Sequence, residues 1–217
     1  MIVDERVSCY IKSLTAYNSD FLEKLREKAL EAKVPIIKRE TESFLKTFLL
    51  LKKPKRILEV GAAVAYSSLV MAETLEGNVK ISTIENYEKR VLEARKNIKD
   101  SHYSNIIHLI EEDASKVLKE LVEKKEKYDF IFMDAAKGQY INWLEPVIKL
   151  LNKEGVLCSD NVLQGGDIVQ SRYLIERRDR SIHSRLREYL YELTHREELS
   201  TTILSLGDGV ALTVLKK

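Results

Sequence analysis

Two short stretches carry side chains whose types and spacing suit catalysis. IFMDAAKGQY (131–140) is an apolar run ending at Asp134, with Lys137 three residues on; CSDN (158–161) ends in the adjacent pair Asp160 and Asn161. Carboxylate and amide oxygens at two strand ends suit a hard cation such as Mg²⁺, which takes oxygen ligands. A lysine beside such a cation can serve as a general base, because neighbouring positive charge favours the neutral amine. Together they describe a reaction centre, provided a scaffold brings the two stretches to one place.

That scaffold is readable in the hydrophobic rhythm. RILEV (56–60), VKISTIE (79–85), NIIHLI (105–110), YDFIFMD (128–134) and GVLCSD (155–160) predict strands. The amphipathic stretches 67–75, 88–98, 115–122 and 141–151 predict helices between them. Strand and helix in alternation predict an α/β fold, a parallel sheet covered on both faces with ligands at the carboxyl ends of its strands. Asp134 and Asp160 both fall at such ends. Upstream, Val7/Ile11/Leu14, Phe21/Leu22/Leu25/Ala29 and Phe44/Leu45/Phe48/Leu49 predict three helices, with Asn18 and Thr41 near the starts of the second and third. Downstream, Ile182, Leu186, Tyr189, Leu190 and Leu193 mark a last helix, and TTILSL and VALTVLKK around GDG (207–209) predict an antiparallel hairpin finishing the sheet. No repeat or linker interrupts the chain. It reads as one domain, with a helical cap or lid over 1–53 and a core over 54–217.

Composition narrows the setting. No apolar run approaches the roughly 20 residues of a membrane span, and the first residues lack the apolar core of a signal peptide, so the expected location is the cytoplasm. Cys9 and Cys158 show no metal-type spacing and read as two buried thiols in a reducing compartment. A net charge of +2 excludes neither nucleic acid nor small molecules.

The first strand runs into LEVGAAVAYSS (58–68), where Gly61 permits a tight turn and small residues follow. Ala63 stands where the dinucleotide fingerprint G-x-G-x-x-G needs its second glycine, which disfavours a pyrophosphate cofactor. Glu59 would likewise repel a diphosphate while suiting a cation, and it is counted among the candidate cofactor-binding residues. Glu85 is placed to accept from two ribose hydroxyls, and Asp113, followed by Ala114, from an adenine amino group. Singly, each is equally well a turn glycine or a solvated strand end. Gly61, Glu85, Asp113, Asp134 and Asp160 at five successive strand ends are better explained by a shared ligand edge.

LEVGAAVAYSS, TIE, EDAS, IFMDAAKGQY, SDN and LGDGVALTV resemble, in order, the motifs of the metal-dependent S-adenosylmethionine O-methyltransferases of the catechol and caffeoyl-coenzyme A type, over about residues 35–217. The chain is most similar to the bacterial branch that includes tRNA 5-hydroxyuridine methyltransferase. The resemblance implies a Rossmann-like class I methyltransferase fold and a metal (Mg²⁺ or another divalent cation) on Asp134, Asp160 and Asn161, with Lys137 as base. It implies a donor pocket for S-adenosylmethionine lined by Gly61, Ser67, Glu85, Asp113 and Asp134, with Ile37 of the lid segment 34–45 near the cofactor. Relatives usually carry glycine at the place of Ala65.

A metal on that triad could chelate two vicinal oxygens, which both a catechol and a 5-hydroxyuridine present. Six arginines between 172 and 187, among them Arg172, Arg177, Arg178 and Arg180, offer forks for phosphate or base stacking, and Lys52, Lys53, Lys55 and Arg56 add a second cluster. The same residues would equally form a solvated charged face. Gly165 and Gly166 suit a mobile loop beside the acceptor. Tyr140 is expected near the centre, able to stack on a planar acceptor, and Trp143 in the core. The leading expectation is methylation of wobble 5-hydroxyuridine in tRNA to 5-methoxyuridine. The alternatives are a catechol or hydroxycinnamoyl O-methyltransferase and a non-catalytic module binding the donor or RNA. The family suggests a homodimer.

Overall fold

The computed structural model describes residues 4–216. Three helices lead: α1 (Glu5–Leu14), α2 (Asp20–Glu31) and α3 (Arg39–Lys52). Then come β1 (Arg56–Val60), α4 (Tyr66–Thr74), β2 (Lys80–Ile84), α5 (Glu88–Asp100), β3 (Ile107–Ile110), α6 (Ala114–Glu123), β4 (Tyr128–Met133), α7 (Tyr140–Leu150) and β5 (Leu151–Asp160). The chain ends with α8 (Arg180–His195), β6 (Leu199–Leu204) and β7 (Val210–Leu215). One open sheet runs in the order β3-β2-β1-β4-β5-β7-β6. The first five strands are parallel and β7 is antiparallel to both neighbours, as the alternating pattern and the GDG turn predicted.

Strand periodicity sorts the core into two layers. Ile57, Ile81, Phe130, Phe132 and Val156 face the side covered by α2, α3, α4 and α5, while Leu58, Val60, Ile131, Met133 and Leu157 face α6, α7 and α8. The strands are apolar on both sides because helices cover both sides.

Local details depart from the sequence reading. Helix α2 is capped by Ser19, one residue after Asn18, and α3 begins at Arg39, before Thr41. Strand β5 starts four residues ahead of the GVLCSD run, across an irregularity beside Tyr128. Cys158 is buried but Cys9 is exposed, because α1 buries none of its residues. The 52–56 basic cluster lies at the amino end of β1, the sheet edge opposite Asp134; Lys52 Nζ donates to the Glu154 carbonyl and Arg56 pairs with Glu126. Among the described residues no helix is long and apolar enough to cross a membrane.

Candidate active site

The strand order reverses at β1, whose neighbours are β2 and β4, and a doubly wound sheet opens a crevice at such a point. Gly61 sits there at φ +100°, where a Cβ would collide with the Asp134 carbonyl, so only glycine lets the two strand ends approach. The Asp134 N–H donates to the Val60 carbonyl (3.0 Å), fixing that approach. A cavity of about 890 Å³ opens over this junction, and Ile37, Gly61, Ser67, Glu85, Asp113 and Ala114 all line it. Asp134, Lys137, Asp160 and Asn161 line it too, so one space joins the predicted donor and metal residues.

On the donor side the acidic residues are fixed by backbone. Glu85 accepts from the N–H groups of Ala63 (2.8 Å), Asn86 (3.0 Å) and Tyr87 (3.0 Å), so the carboxylate is held at the strand end. Asp113 caps α6, its Oδ1 accepting from the Ser115 and Lys116 N–H groups. Glu59 does not take its predicted place. It is fully buried outside the cavity lining, and its carboxylate accepts from the hydroxyls of Ser68 and Thr83. Burial pushes its carboxyl up, against the hydroxyls of Ser67, Ser68 and Thr83. Alternation along β1 turns it under α4, away from a ligand.

On the other side, Asp134 and Asp160 end the adjacent strands β4 and β5. Asp160 is 2% exposed, and burial together with the Asp134 charge pushes its carboxyl up. A cation between them would relieve that repulsion. Among the described residues no three His, Cys, Asp or Glu side chains converge as a metal cluster, and the Asn161 amide is the neutral oxygen donor that lines the cavity beside the two carboxylates. That amide is suitably turned. Its Nδ2 donates to Asp208 Oδ2 (3.3 Å), and since a carboxylate only accepts, Oδ1 is the atom left for the cavity. The residues fit a hard divalent ion. Lys137 Nζ pairs with Asp134 Oδ1 at 2.7 Å, in reach of the same space.

Tyr140 is not the expected stacking surface. It is fully buried, its hydroxyl reaching the carbonyls of Met133 (3.0 Å) and Asp160 (3.2 Å) and accepting from the Ala135 N–H (3.3 Å). It ties the β4 and β5 ends together because α7 begins at this residue and turns the ring into the sheet. Trp143 is 5% exposed and packs in the core as predicted, with Nε1 donating to Ser115 Oγ, and it also lines the cavity.

The arginine cluster divides. Arg180 donates to the carbonyls of Ile175 and Tyr173 and Arg187 to that of Ile168, so these two guanidiniums hold the 164–179 segment onto the core, while Arg185 donates to the Gly138 carbonyl in the loop after β4. Arg178 pairs with Glu176 and Asp179. Arg178 and Arg180 are therefore engaged within the chain, while Arg172 and Arg177 stay exposed beside Tyr173 (84% exposed).

A buried polar network behind the cavity escaped the sequence reading. Glu42 is 1% exposed and accepts from Arg26 (3.2 Å), the Tyr66 hydroxyl (2.7 Å), Asn18 (2.7 Å) and Arg39 (3.0 Å). Arg26 also donates to the carbonyl of Ile37, the residue at the roof of the cavity. A signal existed: Arg26 follows Leu22 by one helical turn, a charge on an apolar stripe.

Comparison with known proteins agrees with this geometry. The model of a family described as O-methyltransferase matches residues 12–217. A flavonoid 3',5'-methyltransferase of Vitis vinifera is 30% identical, covering 96% of this chain and 93% of its own. A catechol O-methyltransferase of Niastella koreensis is 30% identical over 76% of each chain. Among solved structures, one from Staphylococcus aureus superimposes with TM-score 0.88 at 30% identity, covering 98% of this chain and 100% of its own. The SAH-bound methyltransferase PaMTH1 of Podospora anserina superimposes with TM-score 0.87 at 25% identity, covering 98% and 95%.

Proposed function

The chain belongs to the O-methyltransferase family, and from that premise we propose that it methylates one of two adjacent oxygens on its acceptor. The donor in this reading is S-adenosylmethionine, and a divalent cation such as Mg²⁺ is held by Asp134, Asp160 and Asn161. The observation that carries the proposal is the single cavity joining the Gly61–Asp134 crevice to Asp160 and Asn161. Binding of SAH, the demethylated donor, by a structural relative supports the choice of donor.

Each side chain then has a task. Glu85 and Asp113, fixed by backbone N–H groups, orient the donor's ribose and base. Ile37 covers it and keeps water from the sulfonium. A cation held there would supply Lewis acidity that lowers the acceptor hydroxyl's pKa. Lys137, whose Nζ lies 2.7 Å from Asp134 Oδ1, is the base placed to take the acceptor proton. Tyr140 sets the spacing of the two acidic strand ends. In-line transfer to oxygen is then mostly a matter of position.

For the acceptor we propose the wobble 5-hydroxyuridine of tRNA, giving 5-methoxyuridine, because exposed Arg172, Tyr173 and Arg177 lie on the segment that follows the metal pair. The catechol and flavonoid relatives favour the second reading, a small vicinal diphenol. Labelled donor incubated with hydroxylated tRNA and with catechols separates them; label only in the catechols rejects the tRNA reading. Steep loss of tRNA methylation with rising salt accompanies the first. We further propose a homodimer, supported by the exposed Val7, Tyr10, Ile11 and Leu14 on α1. Sedimentation as a monomer at micromolar concentration would remove that proposal.

A further inference from the structure

The GDG turn between β6 and β7 reaches the site. Asp208 lines the cavity and joins two parts of it: Oδ2 accepts from Asn161 Nδ2 (3.3 Å) and Oδ1 pairs with Lys38 Nζ (2.7 Å). Lys38 belongs to the roof, one residue after Ile37. Two backbone bonds clamp the turn against the residues after Asn161, from the Val162 N–H to the Gly209 carbonyl and from the Leu163 N–H to the Asp208 carbonyl, both 3.0 Å. The flanking glycines make the fit possible. Both have positive φ; a Cβ on Gly207 would meet Thr41 Oγ1 and one on Gly209 would meet Leu163. Asp208 is thus held by main chain at a fixed place beside Asn161.

We infer that Asp208 is a positioning residue for the metal site, one that sets which end of the Asn161 amide faces the cavity. This rests on the metal reading above. An amide free to rotate offers a cation its oxygen or its NH₂ with little preference. A carboxylate partner accepts and never donates, so it selects the rotamer with nitrogen toward Asp208 and oxygen toward Asp134 and Asp160. Lys38 draws the roof onto the same carboxylate, which links the donor cover to the metal edge through one side chain.

The test is Mn²⁺ affinity, measured from free Mn²⁺ by electron paramagnetic resonance on the full chain without donor. Losing an oriented outer-sphere partner typically costs about 10–100-fold in metal affinity. Asp208→Ala should therefore weaken Mn²⁺ at least about tenfold, while Lys38→Met, which keeps the amide contact, should leave it within about twofold. A cycle that does not depend on the alanine variant folding uses Asn161→Asp. Its added carboxylate would face Asp208 and repel it, so adding Asp208→Asn, whose NH₂ can donate to the new oxygen, should tighten Mn²⁺ about tenfold or more over Asn161→Asp alone. Equal affinities within each pair (wild type with Asp208→Ala, Asn161→Asp with the double variant) would overturn the inference and leave the metal site standing. Wild type that takes up no Mn²⁺ would overturn both.

Discussion

The roof of the cavity and the 164–179 segment that follows Asn161 are built in opposite ways. The roof, formed where α2 and α3 meet α4, is fastened by buried charge: Glu42 satisfies four donors while Arg26 and Arg39 lie largely out of solvent. The 164–179 segment lies outside the cavity lining, leaves Val169, Tyr173 and Leu174 more than 70% exposed, turns through Gly165 and Gly166 at positive φ, and is tied down by buried Ile168 and Ile175 and by arginines donating to carbonyls. A small invariant donor suits a preformed, desolvated pocket, whereas a large acceptor must come and go across an open face. Under the proposed function, the contrast assigns donor selectivity to the roof and makes the exposed segment the place to test for contacts with a large acceptor.

The largest expected effect lies at the acidic strand ends. Asp160→Ala removes a proposed cation ligand without touching the roof network or the exposed segment, so turnover should fall by about three orders of magnitude or more, to a background set by positioning alone. Its circular dichroism should match wild type; full activity in the variant would remove the metal from the mechanism. Next comes the roof. Glu42→Ala leaves Arg26 without a carboxylate and Arg39 with Glu23 alone, and breaking a buried ion pair costs about 3–5 kcal/mol. Denaturant melts should show that loss, and the donor's Kd should rise in calorimetry at temperatures where the variant is still folded. A stability change below about 1 kcal/mol, the range of an exposed pair, would mean the network is not what fastens the roof.

This contrast also marks what the sequence could show. The five strand ends were legible because period-two and apolar runs report burial directly, and the chain order placed Gly61, Glu85, Asp113, Asp134 and Asp160 on one edge. Partnerships between distant helices were not. Glu42 and Arg26 read as ordinary helix-surface charges until α3 is laid on α2, although each sits on the apolar face of its own helix. Tyr140 misled because it adjoins the motif in sequence, yet the first turn of α7 directs its ring inward. Glu59 misled through strand alternation, which sends it to the face opposite Leu58 and Val60. The arginines looked like one patch because composition cannot distinguish a guanidinium that meets a carbonyl of its own loop from one that meets water.

The roof should also respond to acid. Burial opposes ionisation of Glu23, but the Arg39 hydrogen bond and charge outweigh it, so its carboxyl is held below its usual 4.5. A lowered folded-state pKa contributes stability that is present above the unfolded value and is lost as pH falls through the folded one. Wild type should therefore exceed Glu23→Gln in stability by about 1.5–3 kcal/mol at pH 7, the worth of a charged hydrogen bond. The gap should close as pH drops below 4.5. A gap independent of pH would assign the difference to packing rather than charge.

The smallest effects belong to the exposed 164–179 segment, where they separate the arginines from one another. Arg172→Ala and Arg177→Ala remove exposed guanidiniums with no part in the core, so stability should hold within about 0.5 kcal/mol. If tRNA is the acceptor, each should raise its KM about three- to tenfold and flatten its salt dependence by about one phosphate contact, with kcat unchanged. Arg178 is as exposed as they are, but Glu176 and Asp179 lie at 3.0 and 3.5 Å from its Nε and already occupy its charge. Arg178→Ala should accordingly change neither stability nor the tRNA KM by more than about twofold, as exposed ion pairs are worth little. Equal losses from all three variants would mean that RNA phosphates displace those acids on binding. No loss from any of them, with catechol turnover intact, would remove the segment from acceptor recognition and favour a small acceptor.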